Sequence, residues 1–309
     1  MILYRVMNPH RLKAYILLLI VAVIWGIAGP VIKFTLVGIS PFLFLAYRFG
    51  LSSIIAFLLF FLGVSKIPKN KIVLGETVLY GFLTSTVALS LLFAGLDKTT
   101  VLDMSLITMA GPLLIAIAGT LFLNERITKR EKTGIGLALF GVSVIALEPL
   151  FSQNTKFSGF SGNLLIILYL LVNVVSVIMA KKLLKKGVSP LTMTNISFVI
   201  GFLTILPFAI MQKGSVESLI IIKNLDLARH LGVIYMALIS GNLAYFLWVK
   251  AQKTIEVGEA ALFAYLYPLF AAPLAVFWLG EKITVIFIIG AMIITIGVSI
   301  AEAKKKRYN

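Results

Sequence analysis

Apolar runs of about 20 residues, separated by short clusters of Gly, Pro, Ser, Lys or Arg, follow one another along almost the whole chain. That is the helix length that crosses roughly 30 Å of hydrocarbon. The pattern predicts an all-α integral membrane protein of ten transmembrane helices, near residues 14–37, 42–63, 73–95, 101–123, 131–149, 163–181, 190–211, 230–250, 257–279 and 284–302. Most connections are short; the longest, 212–229, is expected to hold an amphipathic or surface segment. Arg5, Arg11 and Lys13 precede the first run as in a signal peptide. That run is too long and lacks a small-residue cleavage site, so an uncleaved first span is expected.

The runs are also internally related. Residues 111–128 (GPLLIAIAGTLFLNERIT) and 267–284 (YPLFAAPLAVFWLGEKIT) superimpose on a shift of 156 positions. Pro112 meets Pro268, Glu125 meets Glu281 and Thr128 meets Thr284; downstream, Gly134 meets Gly290, and upstream Asp103 meets Glu259. Chance likeness between apolar segments does not keep Pro, Glu, Thr and Gly together, so this is a repeat. A second matched signature opens spans 2 and 7: Gly38-Ile39-Ser40-Pro41 and Gly187-Val188-Ser189-Pro190. Ser at the N-cap accepts from an orphan amide, and Pro at the first helical position has none to leave unpaired. Thr128 with Glu131 makes a candidate capping box for span 5, and Thr284 a cap for span 10. The halves are 1–150 and 151–309. Five helices per half is odd, so the second copy must be inverted, the plan of many secondary transporters with a midplane site between halves.

Charge orients the bundle. With the N-terminus cytoplasmic, 20 of the 28 Lys and Arg fall on the inner side and 6 on the outer, and Lys33 and Arg48 lie within spans. That split predicts both termini in the cytoplasm and residence in the plasma (inner) membrane. The net charge of +16 is explained by this asymmetry and by the Lys304-Lys305-Lys306-Arg307 run near anionic lipid, so no nucleic-acid partner is expected. Only 13% of residues are charged, and mean hydropathy is +1.04. There is no Cys, and His10 and His230 are the two His, so neither a metal site nor a cofactor is expected.

Few residues inside the spans can carry chemistry. Pro112, Pro268 and Pro273 would free the carbonyls of Thr108, Ala264 and Leu269 and kink spans 4 and 9 around a substrate, or simply bend them for packing. Arg48 lies about 7 residues inside span 2. It either attracts a carboxylate or phosphate, or serves structurally by bonding helix-end carbonyls or Asp103. Lys33 and its repeat equivalent Lys181 are expected to snorkel to opposite interfaces. Thr84-Ser85-Thr86 in span 3 match Ser240-Gly241-Asn242 in span 8 by the repeat register, and Asn173 and Asn195 are mid-span. The candidate substrate-binding residues are Trp25, Arg48, Thr84, Thr108, Asn173, Asn242 and Tyr265, with Tyr245 and Trp248 at comparable depth. The bland alternative is hydroxyls bonding back within their helix and Asn joining helix to helix. Asp103 and Glu259 could exchange protons, but favouring positive helix N-termini is the simpler role. Glu125 and Glu281 read as anchors closing spans 4 and 9. Gly134 with Ala138, and Gly297 with Ala301, permit close helix approach, inside the monomer or in a homodimer.

Trp25-Gly26 in span 1, Pro41 and Arg48 in span 2, and the twin P-(x)12-E-(K/R)-I-T segments resemble the drug/metabolite transporter superfamily, EamA-type, over residues 14 to 302. The resemblance implies a ten-helix carrier with a central cavity that moves small metabolites, amino acids or drugs, often outward. The second half departs from the first: Asn173 stands at the position of Trp25, and Ser197 at that of Arg48. The expected function is a secondary transporter working by alternating access. The alternative is a membrane enzyme acting on a lipid-like substrate. An enzyme needs convergent catalytic groups, and no HExxH, phosphate loop or carboxylate cluster occurs, so no catalytic residue is assigned.

Overall fold

The computed structural model describes residues 9–123, 129–151 and 156–302, and these are helical with short connections. The helices are α1 (Pro9–Leu36), α2 (Pro41–Phe61), α3 (Lys71–Lys98), α4 (Val101–Thr108 and Gly111–Leu123) and α5 (Lys129–Phe151). The second half has α6 (Lys156–Lys185), α7 (Pro190–Lys213), α8 (Leu227–Ala251), α9 (Val257–Ala261, a 3-10 stretch Leu262–Leu266, then Tyr267–Phe277) and α10 (Val285–Glu302). The first eight are long and apolar enough to cross a bilayer. The last two count as shorter apolar helices. α9 is divided by its 3-10 stretch, and α10 has 18 residues, about 27 Å of helix. The 212–229 connection holds a short helix, Ser215–Lys223, which buries Ser218 and leaves Val216, Leu219 and Ile220 exposed. Phe61, Met211 and Phe277 are likewise exposed on the outer face of the bundle, where lipid would cover them.

Inversion is visible in matched local structure. α3 contains a π-helical stretch at Phe82–Ala88, and α8 contains one at Tyr235–Leu243. α4 breaks through the tight bonds Met109 N→Leu106 O and Ala110 N→Ile107 O just before Pro112. The 3-10 stretch of α9, at the same repeat positions, runs straight into Pro268. A Pro near the start of a helical piece leaves no amide to satisfy, so each proline begins a new segment at little cost. Pro273 is carried inside the Tyr267–Phe277 helix.

The repeat-equivalent lysines Lys33 and Lys181 correct the snorkelling expectation. Lys33 Nζ donates to the carbonyls of Leu96, Asp97 and Thr99 at 2.8, 3.2 and 2.7 Å, closing the last turn of α3. Lys181 Nζ donates to Gln252 and Ile255 at 2.6 and 2.7 Å, closing α8. Gln252 and Ile255 are the repeat equivalents of Leu96 and Thr99. A cation meets the carbonyls and negative dipole at a helix C-terminus, so it stays in the protein rather than climbing to water. The opposite end of α3 is tied to α6 by Lys186 Nζ to Glu76 at 2.6 and 2.5 Å, and Thr192 Oγ1 reaches Lys66 O at 3.1 Å. The 62–70 and 186–189 connections therefore share one end of the bundle.

Other capping expectations divide. Ser189 Oγ accepts from Thr192 N at 3.0 Å and Thr284 Oγ1 from Phe287 N at 3.0 Å. Ser40 occupies the N-cap of α2 with extended backbone, but its hydroxyl makes no capping bond; Pro41 at the first position already removes one donor. Thr128 and Glu125 lie outside the described residues, as do the side chains of Glu131 and Glu259. The small-residue motifs of α5 and α10 pack on each other within the chain. A methyl on Gly134 would meet Ala301 N at 2.4 Å, and one on Gly297 would meet Ala138 N at 2.5 Å.

Candidate functional site

A cavity of about 140 Å³ lies between the halves. Its wall comes from α1, α2, α3 and α4 of the first half and α6, α8 and α9 of the second. Most lining positions obey the repeat, while Phe93, Tyr169 and a few others have no partner in the wall. On α3, Tyr80, Thr84, Leu89 and Leu92 face it; on α8, Met236, Ser240, Tyr245 and Trp248 do. These are the same four positions shifted by 156, and the five-residue steps from 84 to 89 and from 240 to 245 fall where the π-turns insert an extra residue. Ser105, Thr108, Gly111 and Ile115 on α4 correspond in the same way to Ala261, Ala264, Tyr267 and Ala271 on α9. On α1 and α6 the pairs are Trp25 with Asn173, Ala28 with Ser176, Gly29 with Val177 and Ile32 with Ala180.

Position is symmetric, but chemistry is not. Tyr169, Tyr245, Trp248 and Tyr267 come from the second half, and the last three surround Trp25 of the first. Their centroids lie 5.1, 5.3 and 6.1 Å from that of Trp25, with tilted or edge-on planes. Such geometry sets the positive edge of one ring against the face of another. Trp25 is fixed by Nε1 donating to Ser240 O at 3.0 Å, within the α8 π-stretch, and Tyr235 Oη donates back to Ile24 O at 2.8 Å. A regular α-helix would spend the Ser240 carbonyl on its own ladder; a π-stretch leaves backbone groups open for such a bond.

Arg48 enters the wall from α2 and has no counterpart there, because Ser197 bonds back to Met193 O at 2.7 Å. It is 1% exposed, and its Nε and Nη1 have no hydrogen-bond partner. Its guanidinium carbon sits 5.6, 5.8 and 5.9 Å from the ring centroids of Phe49, Phe93 and Phe198. Each ring returns about 0.5–2 kcal/mol, against several kcal/mol for taking one ion from water into a protein interior. Asp103 does not neutralise it. That carboxylate belongs to a separate cluster, where Oδ2 accepts from Asn163 Nδ2 at 3.2 Å and Thr99 Oγ1 at 3.3 Å. Among the described residues Arg48 is the single charged side chain in the wall. The hydroxyls of Ser105, Thr108 and Ser176 donate to Leu102 O, Ser105 O and Val172 O within their own helices at 2.8–3.0 Å.

Of the sequence-derived candidates, Trp25, Arg48, Thr84, Thr108, Asn173 and Pro112 face this one cavity. Asn242, Tyr265, Pro268 and Pro273 do not line it. Tyr265 is the repeat partner of Met109 and falls off the 261–264–267–271 stripe. Asn242 partners Thr86, whose hydroxyl turns to Thr204 on α7 at 2.6 Å. Tyr80, Tyr169 and Tyr267, not singled out in the sequence, do face the cavity. The 156-residue shift applied to Gly111 would have found Tyr267.

Beyond the cavity, Glu281 clamps the start of α4: its two oxygens accept from Val101 N at 2.8 Å and Leu102 N at 3.0 Å. Gly280, at φ 69°, supplies the left-handed turn that aims the carboxylate there. Burial pushes the Glu281 carboxyl above the usual carboxylate range, although the two amides and Lys33 pull it back.

The profile of the EamA-like transporter family matches residues 12–147 and again 160–302. The chain is 27% identical to the uncharacterized transporter YyaM of Bacillus subtilis (strain 168), over 97% of each sequence. It is 26% identical to a probable amino-acid metabolite efflux pump of Escherichia coli (strain K12), over 93% of this chain and 94% of that one. A solved crystal structure superposes with a TM-score of 0.61 at 16% identity, covering 94% of this chain and 96% of the other, which supports the fold alone.

Proposed function

This chain belongs to the EamA-like transporter family, and we propose from that premise that it is a secondary carrier exporting a small metabolite, amino-acid-like or drug-like solute across the plasma membrane. The halves 1–150 and 151–309 would rock about the shared cavity in alternating access. One observation carries this reading: the cavity wall is built largely from repeat-equivalent positions of two inverted halves. Such a wall can be reached from either end by exchanging the conformations of the halves. Relatives named transporters or efflux pumps support transport over the enzyme alternative, and the efflux names support the outward direction. The skew of Lys and Arg supports cytoplasmic termini.

The test is purified protein reconstituted in liposomes. A thermal-shift panel of amino acids, nucleosides, sugar phosphates and organic cations supplies a ligand. That ligand, radiolabelled, should show saturable uptake and counterflow when the vesicles are preloaded with it unlabelled. Chemical turnover of the ligand without movement across the bilayer would overturn the carrier reading.

A further inference from the structure

Arg48 poses a problem that the protein alone leaves unsolved. A guanidinium is charged at any physiological pH and carries five donors in a rigid fork. Here it lies deep in α2, almost wholly buried, with Nε and Nη1 unbonded. Three aromatic rings hold the guanidinium in place by their faces, but a ring face offers no lone pair to the in-plane donors. The cavity wall contains no Asp or Glu among the described residues, and none of its hydroxyls accepts from Nε or Nη1. A purely structural arginine would end on helix carbonyls, as Lys33 and Lys181 do in this same chain. The contrast matters, because the fold demonstrably satisfies its other intramembrane cations when they serve architecture. At Gly241 a Cβ would sit 2.9 Å from Met236 O, a clash within α8, while its 3.4 Å approach to Arg48 Nη2 would be an ordinary contact.

We infer that the cavity takes an amphipathic organic anion, its carboxylate or phosphate bonded to Arg48 and its apolar body against Trp25, Tyr245, Trp248 and Tyr267. This rests on the carrier reading above and names the substrate class for it. An anion in the cavity matches the charge of the guanidinium and offers it a charge-assisted partner. The aromatic wall supplies area and shape, and Trp25 Nε1 is already committed to Ser240 O. A cation would face Arg48 with no acid to offset it. A neutral solute could accept from the guanidinium but would leave its charge unmatched. A zwitterion would gain at one end and bring an unmatched ammonium at the other.

The test uses full-length protein in detergent and one phenyl body with different heads: 3-phenylpropionate, phenyl phosphate, phenylalanine, 3-phenylpropionamide and phenethylamine. Binding is read by thermal shift and isothermal titration. The expected result is saturable binding of one or both anions, at least tenfold tighter than the amide and the amine. The stronger anion tells carboxylate from phosphate as the natural head. Arg48→Gln should abolish anion binding. Arg48→Lys, which keeps the charge but loses the fork, should retain the order of preference with at least tenfold weaker binding, and it decides the matter if the Gln variant does not fold. Amide binding within threefold of 3-phenylpropionate, or undiminished anion binding by Arg48→Gln, would overturn the inference. Counterflow of a neutral or cationic solute with no anion binding would sink this inference and leave the carrier reading standing. Saturable anion binding without counterflow would do the reverse.

Discussion

At the scale of single residues, what matters is which face of a helix a polar group occupies. Asn173 and Asn242 are both mid-helix amides, but only Asn173 lines the cavity. Asn242 is partly buried elsewhere, with its Oδ1 unbonded. One hydrogen bond to a ligand is worth about 0.5–1.5 kcal/mol, so Asn173→Ala should raise the counterflow KM by roughly 2- to 10-fold. Asn242→Ala should leave it within about twofold, because removing an unbonded buried amide loses no contact with solute. Proteoliposome kinetics on the two variants separate them, and equal effects would detach the cavity from transport. The sequence made Trp25, Arg48, Thr84, Thr108 and Asn173 legible because each is a polar or aromatic interruption of an apolar run. Asn242 and Tyr265 were chosen by depth and repeat register alone, which do not say which helix face a residue takes, and they do not line the cavity. The π-turn of α8 shifts the register by one residue after Ser240, and the 3-10 stretch of α9 shifts it before Tyr267.

At the scale of elements, the prolines and glycines were readable and the polar clamps were not. Pro112 and Pro268 mark the start of new helical pieces in α4 and α9, as a residue without an amide should. Nothing in an apolar run announces that Glu281 will reach across to the α4 N-terminus, or that Lys33 will close α3; such contacts depend on which helix ends meet. The Glu281 clamp has a pH signature. A carboxyl whose folded-state pKa is raised above the ordinary 4.5 stabilises the fold fully below that value, and the contribution is lost as pH rises through the folded-state pKa. Melting temperatures from pH 4.5 upward should therefore fall more steeply for the native protein than for Glu281→Gln, which cannot ionise. The difference is small because the group is partly exposed, and parallel curves would reject it. The α5–α10 contact gives a sharper outcome. Gly134→Ala drives a methyl into the backbone of α10 at 2.4–2.8 Å, whereas a methyl at Gly136 meets nothing within 4 Å. Overpacking of this kind costs about 1–3 kcal/mol, while Gly→Ala at an open helical position gains up to about 1 kcal/mol. Gly134→Ala should lower the melting temperature and Gly136→Ala should hold or raise it, both read on detergent-solubilised protein.

At the scale of the whole molecule, the arithmetic of an odd number of helices per half governs everything else. An inverted copy puts Lys33 and Lys181 at opposite ends of the bundle doing the same work, and it brings the 62–70 and 186–189 connections together at one end through Glu76–Lys186 and Lys66–Thr192. The repeat was legible because Pro, Gly, Glu and Thr recur at one shift. The differing chemistry of the halves follows from single positions, such as Arg48 against Ser197, where a shared backbone carries different side chains. The chain has no cysteine, so single cysteines placed at Lys69, Lys98, Lys185 and Lys213, all exposed, report topology directly with a membrane-impermeant maleimide. Positions 98 and 213 should label in intact cells, and 69 and 185 only after the membrane is opened. If all four labels reversed, the bundle would be upside down in the membrane but its inverted repeat would survive, since the charge rule and the repeat are independent arguments. If 69 and 185 labelled from different sides, the second half could not be the inverted copy of the first. The cavity would then lose the symmetry that lets two halves expose it in turn.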